Sequence, residues 1–363
     1  MKALVVNRDC VRHNVRCVKE RAGGRPIYGV LKADAYGMGL PEIASILSQE
    51  GITRFAVTEP NDAVRLRNAG HTQQEILLLR STSRREEIDL CLDHNVTLTI
   101  GSQDAALAVN GIAEQRRTVA EAQIEIDIGM GRYGFLPSEI DKIINLYQYM
   151  NNVAITGLYA HFPSAFGNPK ITKAQKQTFD DLLEKLRAEG IDTGLVHAAN
   201  SSALFFQEDC RYDAVRVGSA FTGRLPRRCK DLKPATRAQC PICEIRWLPK
   251  GMTVGYAGVY KTKRPTKIAV LAIGSADGFC IGKERDSWRL RDTFGYLLSD
   301  LKRGLTRRRV FVRINGVPAR VLGHVGTGHT VVDITEVSAL PGQMTELDVN
   351  PIYAARLPRV YES

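Results

Sequence analysis

Basic and hydroxyl side chains stand at the ends of short apolar runs in the first two-thirds of the chain. Lys32 closes the first run, and arginine, histidine, asparagine and Gly-Ser positions close or follow later ones. If the runs are parallel strands, these side chains converge at one edge of the sheet and form a strongly cationic cluster that suits an anion. The later positions are Arg132, His161, His197, Asn200, Ser201, Arg216, Gly218 and Ser219.

Pyridoxal phosphate binding is the chemistry that uses such a set. A buried lysine such as Lys32 forms a Schiff base with a carbonyl cofactor. Hydroxyl and backbone N–H groups after the last two strands, at Ser201 and Gly218-Ser219, suit a phosphate. An arginine facing the pyridine nitrogen leaves it unprotonated, because a guanidinium does not give up its proton. For any one of these residues alone, a salt bridge or another structural role is the alternative.

The elements that must position these residues indicate a (β/α)8 barrel followed by a mostly β domain. Eight short runs alternate with helix-period segments, of which 173–188 is the clearest because its apolar residues share one face and Gly190 follows its end. Eight such strand-and-helix units predict the barrel. The predicted strands are residues 26–32, 54–58, 75–79, 96–100, 122–128, 154–161, 193–197 and 214–217.

The pattern changes in the last third of the chain. Val/Ile/Thr-rich runs recur there with Gly and Pro between them, which predicts a compact β domain with a helical insertion at 288–301. The sequence therefore predicts a barrel over residues 8–232 and a β domain over 233–363 that includes an N-terminal strand, 1–7. The predicted runs are 265–273, 309–314, 319–324 and 330–334.

Composition narrows the class of protein further. The 363 residues, 44% apolar and 25% charged, exclude a disordered chain and a disulfide-stapled mini-protein. No apolar stretch reaches membrane-spanning length and no signal peptide is evident, so we expect a cytoplasmic protein with no membrane partner. The only CxxC, Cys240 to Cys243, lacks a second pair, so we expect reduced cysteines and no metal site.

The net charge of +11 raises the question of a nucleic-acid partner. Part of the excess is local, because residues 283–309 carry nine basic and four acidic side chains. No aromatic residues interleave with the Arg307-Arg308-Arg309 cluster, as stacking on a single strand requires. We therefore expect a solvated surface there and no nucleic-acid partner.

The segment Val30-Leu31-Lys32-Ala33-Asp34-Ala35-Tyr36-Gly37 resembles the lysine signature of the alanine racemase family. The resemblance extends in order along nearly the whole chain. It implies a pyridoxal 5'-phosphate enzyme that racemises a small amino acid, supplies D-alanine for peptidoglycan, and forms a homodimer with shared active sites. The further matching segments are Gly129–Arg132, Ala160–Phe162, His197–Ser201, Val215–Gly218, Val254–Tyr256, Ala276–Gly278 and Arg356–Arg359.

The same resemblance assigns roles to individual residues. It implies that Lys32 holds the cofactor and is one of two catalytic bases, and that Tyr256, from the second subunit, is the other. It places Arg216 on the pyridine nitrogen, His161 between Arg216 and the catalytic tyrosine, and Arg132 near the cofactor's phenolic oxygen and the substrate carboxylate. The matched phosphate contacts, with a residue beside them, are Tyr36, Ser201, Gly218, Ser219 and Asn200.

Four positions depart from the family pattern. Ser275 and Ala355 stand where the family has tyrosines, and Thr327-Gly328 stands where it has a Met-Asp pair near the substrate. Glu125 replaces a lysine that is carbamylated, and therefore negatively charged, in some members. Because glutamate is also an anion, we expect Glu125 to hold Arg132 directly. A solvent-facing Glu125 is the alternative. Tyr353 lies two residues before Ala355 and is a partial substitute.

Loss of bulk at Ser275, Thr327-Gly328 and Ala355 indicates a wider pocket, and the added hydroxyls favour serine beside alanine. Such changes resemble the serine/alanine racemases tied to vancomycin resistance. Two other functions remain as alternatives. A related amino-acid decarboxylase is disfavoured because no Gly-Gly-Gly loop follows strand seven, and a non-catalytic pyridoxal phosphate-binding protein is disfavoured by the second domain.

Overall fold

The chain folds into two compact units, and one of them is built from two separate segments of the sequence. The computed structural model describes residues 1–282, 290–306 and 310–363. One unit is Arg8–Ala235, and the other joins Met1–Asn7 to Thr236–Ser363. The sequence-based boundary lies three residues earlier, at 232/233, whereas the long first strand of the second unit begins at Thr236.

The first unit is the predicted (β/α)8 barrel. Its eight strands are all parallel to their neighbours, and they follow one another around the sheet in chain order. Val215–Val217 pairs with Ile27–Val30, and a parallel bridge between His197 and Ala214 closes the circle. The strands are β2 (Ile27–Val30), β3 (Arg54–Val57), β4 (Glu75–Ser81), β5 (Val96–Ile100), β6 (Ala120–Ile126), β7 (Val153–Ala160), β8 (Leu195–His197) and β9 (Val215–Val217).

Helices cover the outside of the barrel, so the strands are buried on both faces and read as near-continuous apolar runs. The longest helix, Pro169–Ala188, starts where the Asn168 side chain accepts a hydrogen bond from the Ile171 N–H. The helices of this unit are α1 (Arg8–Ala22), α2 (Leu40–Gln49), α3 (Pro60–Asn68), α4 (Arg85–Asp93), α5 (Gln103–Gln115), α6 (Ile140–Tyr149), α7 (Pro169–Ala188) and α8 (Ser201–Phe206).

The second unit is a mostly β domain built on an eight-stranded sheet. The N-terminal strand pairs antiparallel with Thr236–Leu248 and parallel with Arg359–Glu362. Aliphatic side chains such as Leu4, Ile242 and Leu271 form its core. The strands are β1 (Ala3–Asn7), β10 (Thr236–Leu248), β11 (Thr253–Val254), β12 (Tyr260–Lys261), β13 (Thr266–Leu271), β14 (Phe311–Ile314), β15 (Val317–Val321), β16 (Thr330–Asp333), β17 (Met344–Leu347) and β18 (Arg359–Glu362).

The predicted insertion forms a helix, α9 (Leu290–Thr306), in which Leu290, Phe294, Leu297, Leu298 and Leu301 are exposed. Residues 288 and 289 of that prediction, the first residue of the run 309–314, and the whole Arg307-Arg308-Arg309 cluster lie outside the described residues. Within the described part of the chain, no helix combines the length and the apolar character needed to cross a membrane.

Candidate active site

Lys32 begins an unusual backbone segment at the end of β2. The next four residues, Ala33 to Tyr36, all have positive φ, between 52° and 56°. A left-handed conformation costs roughly 1–2 kcal/mol for each residue with a side chain. The turn is anchored by Asp34, whose Oδ1 accepts hydrogen bonds from the Leu40 N–H at 3.0 Å and from Arg65 at 2.8 Å. Strain of this kind, held in place by surrounding contacts, is typical of functional sites.

The Lys32 amine is partly buried and lies 6.0 Å from the centre of the Tyr36 ring. Burial lowers its pKa from the usual value, and the positive charges of Arg132 and Arg216 lower it further. A lysine in such surroundings reaches its neutral, nucleophilic form more readily.

Tyr36, Ser201 and Gly218 form a close-packed cradle beside this lysine. The Ser201 hydroxyl accepts hydrogen bonds from the Gly218 and Ala220 N–H groups at 3.2 and 3.4 Å. A Cβ on Gly218 would lie 2.7 Å from Cζ of Tyr36, so only glycine fits there. Burial raises the pKa of Tyr36 to about 12, which keeps its hydroxyl protonated. The cradle therefore brings hydroxyl and backbone groups together at the cavity wall.

Asn200 fixes the start of this cradle. Its Oδ1 caps α8 by accepting a hydrogen bond from the Ala203 N–H at 2.9 Å. Its Nδ2 donates to the Phe162 carbonyl at 2.8 Å and lies 3.3 Å from Nε2 of His161. One side chain thus links the loop after β7 to the loop after β8.

Arg216 is the buried cation at the centre of the site, with 4% of its surface exposed. One terminal nitrogen donates to Nδ1 of His197 at 2.6 Å, and the other donates to the Ala160 carbonyl at 2.6 Å. Its guanidinium also lies 4.7 Å from the centre of the Tyr159 ring. Burial and the charges of Arg216, Lys32 and Arg132 lower the pKa of His161 to about 3, so His161 is neutral at physiological pH.

Arg132 projects from an ordered but exposed loop after β6. The Asp127 carboxylate accepts hydrogen bonds from the N–H groups of Gly129, Met130 and Gly131 at 2.8, 2.7 and 2.8 Å. These three bonds hold the loop in a tight turn, and the guanidinium lies 5.5 Å from the centre of the Tyr133 ring. The loop therefore presents a positive charge at the rim of the barrel.

Glu125 differs from the sequence-based expectation. It is buried, with 5% of its surface exposed, so it is not a solvent-facing residue. Its carboxyl group faces the Tyr159 hydroxyl rather than Arg132, with which it forms no ion pair. The physical reason is that Glu125 points into the barrel from β6, whereas Arg132 lies on the exposed loop. Burial raises the pKa of Glu125, and its Oε2 has no hydrogen-bond partner.

These residues share one cavity of about 400 Å³ at the C-terminal end of the barrel strands. Its wall contains an amine, three guanidiniums, a neutral imidazole, two carboxyl groups and several hydroxyls. Such a cavity can hold an anionic ligand that carries a carbonyl group, and the amine can react with that carbonyl. The predicted site residues in its wall are Lys32, Tyr36, Glu125, Arg132, His161, Asn200, Ser201, Arg216, Gly218 and Ser219.

The remaining predicted residues lie in the β unit, where three segments adjoin. Tyr256 stands in a short 3₁₀ turn with 73% of its surface exposed. The Ser275 N–H donates to the Gly326 carbonyl at 2.9 Å, and the Ala276 N–H donates to the Thr327 carbonyl at 3.0 Å. A Cβ on Gly326 would lie 3.8 Å from Cε2 of Tyr256. Tyr256, Ser275 and the segment with Thr327 and Gly328 are therefore neighbours.

Tyr159, Gln123 and Asp127 are site residues that the sequence analysis missed. Tyr159 stands two residues before His161, and Gln123 two before Glu125, so each shares the inward face of its strand with a predicted residue. This period of two is the signal that could have found Tyr159 and Gln123. Asp127 acts through backbone contacts, which a sequence pattern does not reveal.

Comparisons with known proteins agree with this geometry. The family models for the alanine racemase N-terminal and C-terminal domains match residues 6–226 and 235–350. The alanine racemase of Carboxydothermus hydrogenoformans is 33% identical over 98% of each chain. That of Clostridium tetani is 35% identical over 76% of this chain and 72% of its own.

Solved structures show the same architecture. An alanine racemase structure from Clostridium difficile 630 superposes with a TM-score of 0.82 at 25% identity, and covers 99% of this chain and 95% of its own. One from Streptomyces lavendulae superposes with a TM-score of 0.84 at 24% identity, and covers 100% and 97%. Matching family models across both units, together with full-length relatives, show that the chain belongs to the alanine racemase family of isomerases.

Proposed function

We propose that this chain interconverts L- and D-alanine with pyridoxal 5'-phosphate as its cofactor. The observation that carries the proposal is the joint placement of Lys32, Arg216 and the Tyr36–Gly218 cradle in one cavity. The full-length relatives named alanine racemase support the choice of reaction.

The residues present fit the cofactor. Lys32 supplies an amine for its carbonyl group, and Arg216 supplies a buried donor for its pyridine nitrogen. The hydroxyls of Tyr36, Ser201 and Ser219 line the cavity beside Gly218, and such a set of groups suits its phosphate. Asn200 and His161 complete the holding groups by supporting the loops on which these residues stand.

Inversion at an amino-acid α-carbon needs an acid and a base on opposite faces. When bound, pyridoxal phosphate spreads the negative charge that remains after the α-proton leaves. We assign one base to Nζ of Lys32, because its lowered pKa favours the neutral amine. The other is assigned, by resemblance to the family, to Oη of Tyr256 of the partner subunit. Each base takes the proton from its own face or returns it there.

Arg132 and Arg216 have separate tasks in this proposal. Arg132, at the rim, attracts the carboxylate of the amino acid. Arg216 would donate to the ring nitrogen of the bound cofactor, and His197 and the Ala160 carbonyl hold its guanidinium in place. Glu125 contributes a buried carboxyl group: burial raises its pKa, and the smaller opposing effect of the Arg216 and Arg132 charges favours its ionised form. It therefore tempers the positive charge of the cavity.

We further propose a homodimer with shared active sites. Tyr256 is largely exposed in the β unit, which leaves its side chain available to a second copy of the chain. The family resemblance supports this arrangement, and it gives D-alanine for peptidoglycan as the product's use.

Serine is a second proposed substrate. Ser275 and Thr327 carry hydroxyls in neighbouring segments, and Gly328 and Ala355 replace larger family residues. A larger pocket admits a longer side chain, because each extra methylene changes the discrimination between two substrates by only about 1–3 kcal/mol. We expect kcat/KM for L-serine within about tenfold of that for L-alanine, equivalent to about 1.4 kcal/mol. A preference for alanine above about a hundredfold, or about 2.7 kcal/mol, contradicts the enlarged pocket.

One experiment tests the reaction itself. Purified protein is incubated with pyridoxal phosphate and a panel of single L- or D-amino acids, and the products are separated by chirality. Formation of D-alanine from L-alanine, with loss of activity in Lys32→Ala, supports the proposal. Carbon dioxide release without inversion identifies a decarboxylase and contradicts it.

A further inference from the structure

A continuous line of hydrogen-bonded side chains crosses the interior of the barrel beneath the cavity. Arg216 donates to Nδ1 of His197 at 2.6 Å, and Nε2 of His197 lies 2.7 Å from Oε1 of Gln123. Nε2 of Gln123 donates to the Tyr28 hydroxyl at 3.0 Å, and that hydroxyl bonds to the Glu75 carboxylate. Arg54 donates to the same carboxylate at 2.7 Å. We call these six side chains the barrel relay.

The barrel relay links both ends of the sheet. His197 ends β8 next to the cavity, whereas Arg54 and Glu75 begin β3 and β4 at the opposite end. Tyr28, Gln123, His197 and Arg216 are all buried. Tyr159 stacks on the His197 ring, with 5.1 Å between ring centres and 9° between ring planes. The imidazole is therefore held on its edge by hydrogen bonds and on its face by an aromatic ring.

The direction of every bond in the barrel relay follows from its two ends. A guanidinium only donates, so Nδ1 of His197 must accept from Arg216. A neutral imidazole has one N–H group, which must then be on Nε2 and must donate to an oxygen of Gln123. The Gln123 amide is thereby forced to turn its NH₂ group to Tyr28, whose own O–H then donates to the Glu75 carboxylate.

The opposite amide orientation is chemically impossible while both ends are held. It would aim the Gln123 NH₂ group at Nε2 of His197, which would then have to accept at both ring nitrogens. Burial and the charge of Arg216 lower the pKa of His197 well below its usual value, in keeping with a neutral ring. Gln123, like His197, therefore accepts from one neighbour and donates to the next through two separate atoms, and its orientation matches the tautomer of His197.

We propose that Gln123 is a positioning residue that locks His197 as the Nε2–H tautomer and thereby holds the Arg216 guanidinium at a fixed place in the cavity wall. The inference deepens the proposed function, on which its catalytic consequence rests. If His197 carried its proton on Nδ1, that proton would oppose the N–H of Arg216, and the guanidinium would keep only the backbone carbonyls of His197 and Ala160, at 3.1 and 2.6 Å, as hydrogen-bond partners. Gln123 therefore acts on the reaction through two other residues, without touching substrate or cofactor.

The tautomer is measured directly by ¹⁵N NMR of histidine-labelled protein, with and without pyridoxal phosphate. We expect His197 to show a protonated Nε2 and an unprotonated Nδ1 in both samples. A proton on Nδ1, or a mixture of tautomers in the unchanged protein, overturns the proposal. Because the sample without cofactor gives this answer by itself, failure to bind pyridoxal phosphate would count against the proposed function and leave the tautomer assignment intact.

Two variants and a control test the consequence for the reaction. Gln123→Leu removes both hydrogen bonds of the side-chain amide. We expect kcat to fall at least about tenfold while KM changes far less, as for other residues that orient a ligand through a neighbour. Thr97→Val is the control, since Thr97 is buried on neighbouring β5 outside the barrel relay, and its activity should stay near that of the unchanged protein. Equal kcat in Gln123→Leu and Thr97→Val contradicts the proposal.

Gln123→Glu distinguishes a hydrogen-bonding role from a packing role, and it tests the proposal even if Gln123→Leu does not fold. A protonated glutamic acid has the shape of glutamine and copies its pattern, with C=O accepting from His197 and O–H donating to Tyr28. The carboxyl group would face His197 and Tyr28, with Arg216 and Glu75 as the next charged groups. We expect kcat to approach that of the unchanged protein at low pH and to fall as pH rises and the carboxyl ionises. A pH profile parallel to that of the unchanged protein indicates a packing role and overturns the proposal.

Discussion

Replacing Gly218 with alanine should damage the cradle in a measurable way. A Cβ at this position would lie 2.7 Å from Cζ of Tyr36 and closer still to Cε2, whereas ordinary contacts begin at 3.4 Å. The backbone φ of Gly218 is −140°, outside the left-handed region, so the clash with the Tyr36 ring is the main obstacle to a side chain here. Either the Tyr36 ring or the Gly218 backbone must move.

The expected cost is that of an overpacked core, about 1–3 kcal/mol in the free energy of unfolding. The Tyr36 ring follows the strained left-handed turn after Lys32, so moving the ring also disturbs the lysine. We therefore expect Gly218→Ala to weaken cofactor binding in addition to lowering stability. Tyr36→Ala in the same chain should relieve the clash, and the two changes should couple by at least about 0.5 kcal/mol.

Urea unfolding of the cofactor-free protein measures the first effect, and titration with pyridoxal phosphate measures the second. Gly111→Ala in α5 is the matched control, because a Cβ there meets no atom within 4 Å. That change should stabilise the protein by about 0.5–1 kcal/mol, since glycine is unfavourable inside a helix. If Gly218→Ala unfolds at the same urea concentration as the unchanged protein, or if Tyr36→Ala gives no relief, the packing argument is refuted.

Three further changes test other parts of the site. Glu125→Gln should raise KM for the amino acid by less than about tenfold, because it removes a charge near Arg132 and breaks no ion pair. Steady-state kinetics measure this change, and an unchanged KM contradicts the prediction. The pKa of His161 is about 3 in the fold and 6.5 ordinarily, so its unfolded form binds more protons and stability falls as pH drops from about 6.5 toward 3. His161→Asn should reduce that slope by up to about 1.4 kcal/mol per pH unit in urea titrations, and an identical slope would disprove the assignment. Mixing inactive Lys32→Ala with inactive Tyr256→Phe should restore activity in mixed dimers, whereas no recovery despite proven subunit exchange places both bases in one chain.

Much of the fold is readable from local patterns in the chain. Parallel strands buried on both faces are short β-branched runs, and so β2 to β9 stand out between helical segments. The thirteen-residue strand β10 does not, because Pro241 disfavours a strand and the alternation of buried and less buried residues stops after Ile242. Pro241 is the last residue of β10 that pairs with β17, and the next residues pair with β13. At such a change of partner strand, a missing N–H group is tolerated.

The site was predictable to the extent that it lies at strand ends. Lys32, His161 and Arg216 could be found in that way. The left-handed turn after Lys32 could not, because alanine, aspartate and tyrosine carry no local preference for four successive positive φ angles. The partner of Glu125 was also out of reach, since the choice of Tyr159 over Arg132 depends on which side chains face each other across the closed barrel.

Chemical labelling of Lys32 tests the central claim most directly. The protein is incubated with pyridoxal phosphate, reduced with borohydride, digested and mapped by mass spectrometry. The account predicts a single phosphopyridoxyl-modified peptide that contains Lys32, accompanied by loss of racemase activity. Labelling of a different lysine, or no stable label in a protein that still racemises alanine, would contradict it.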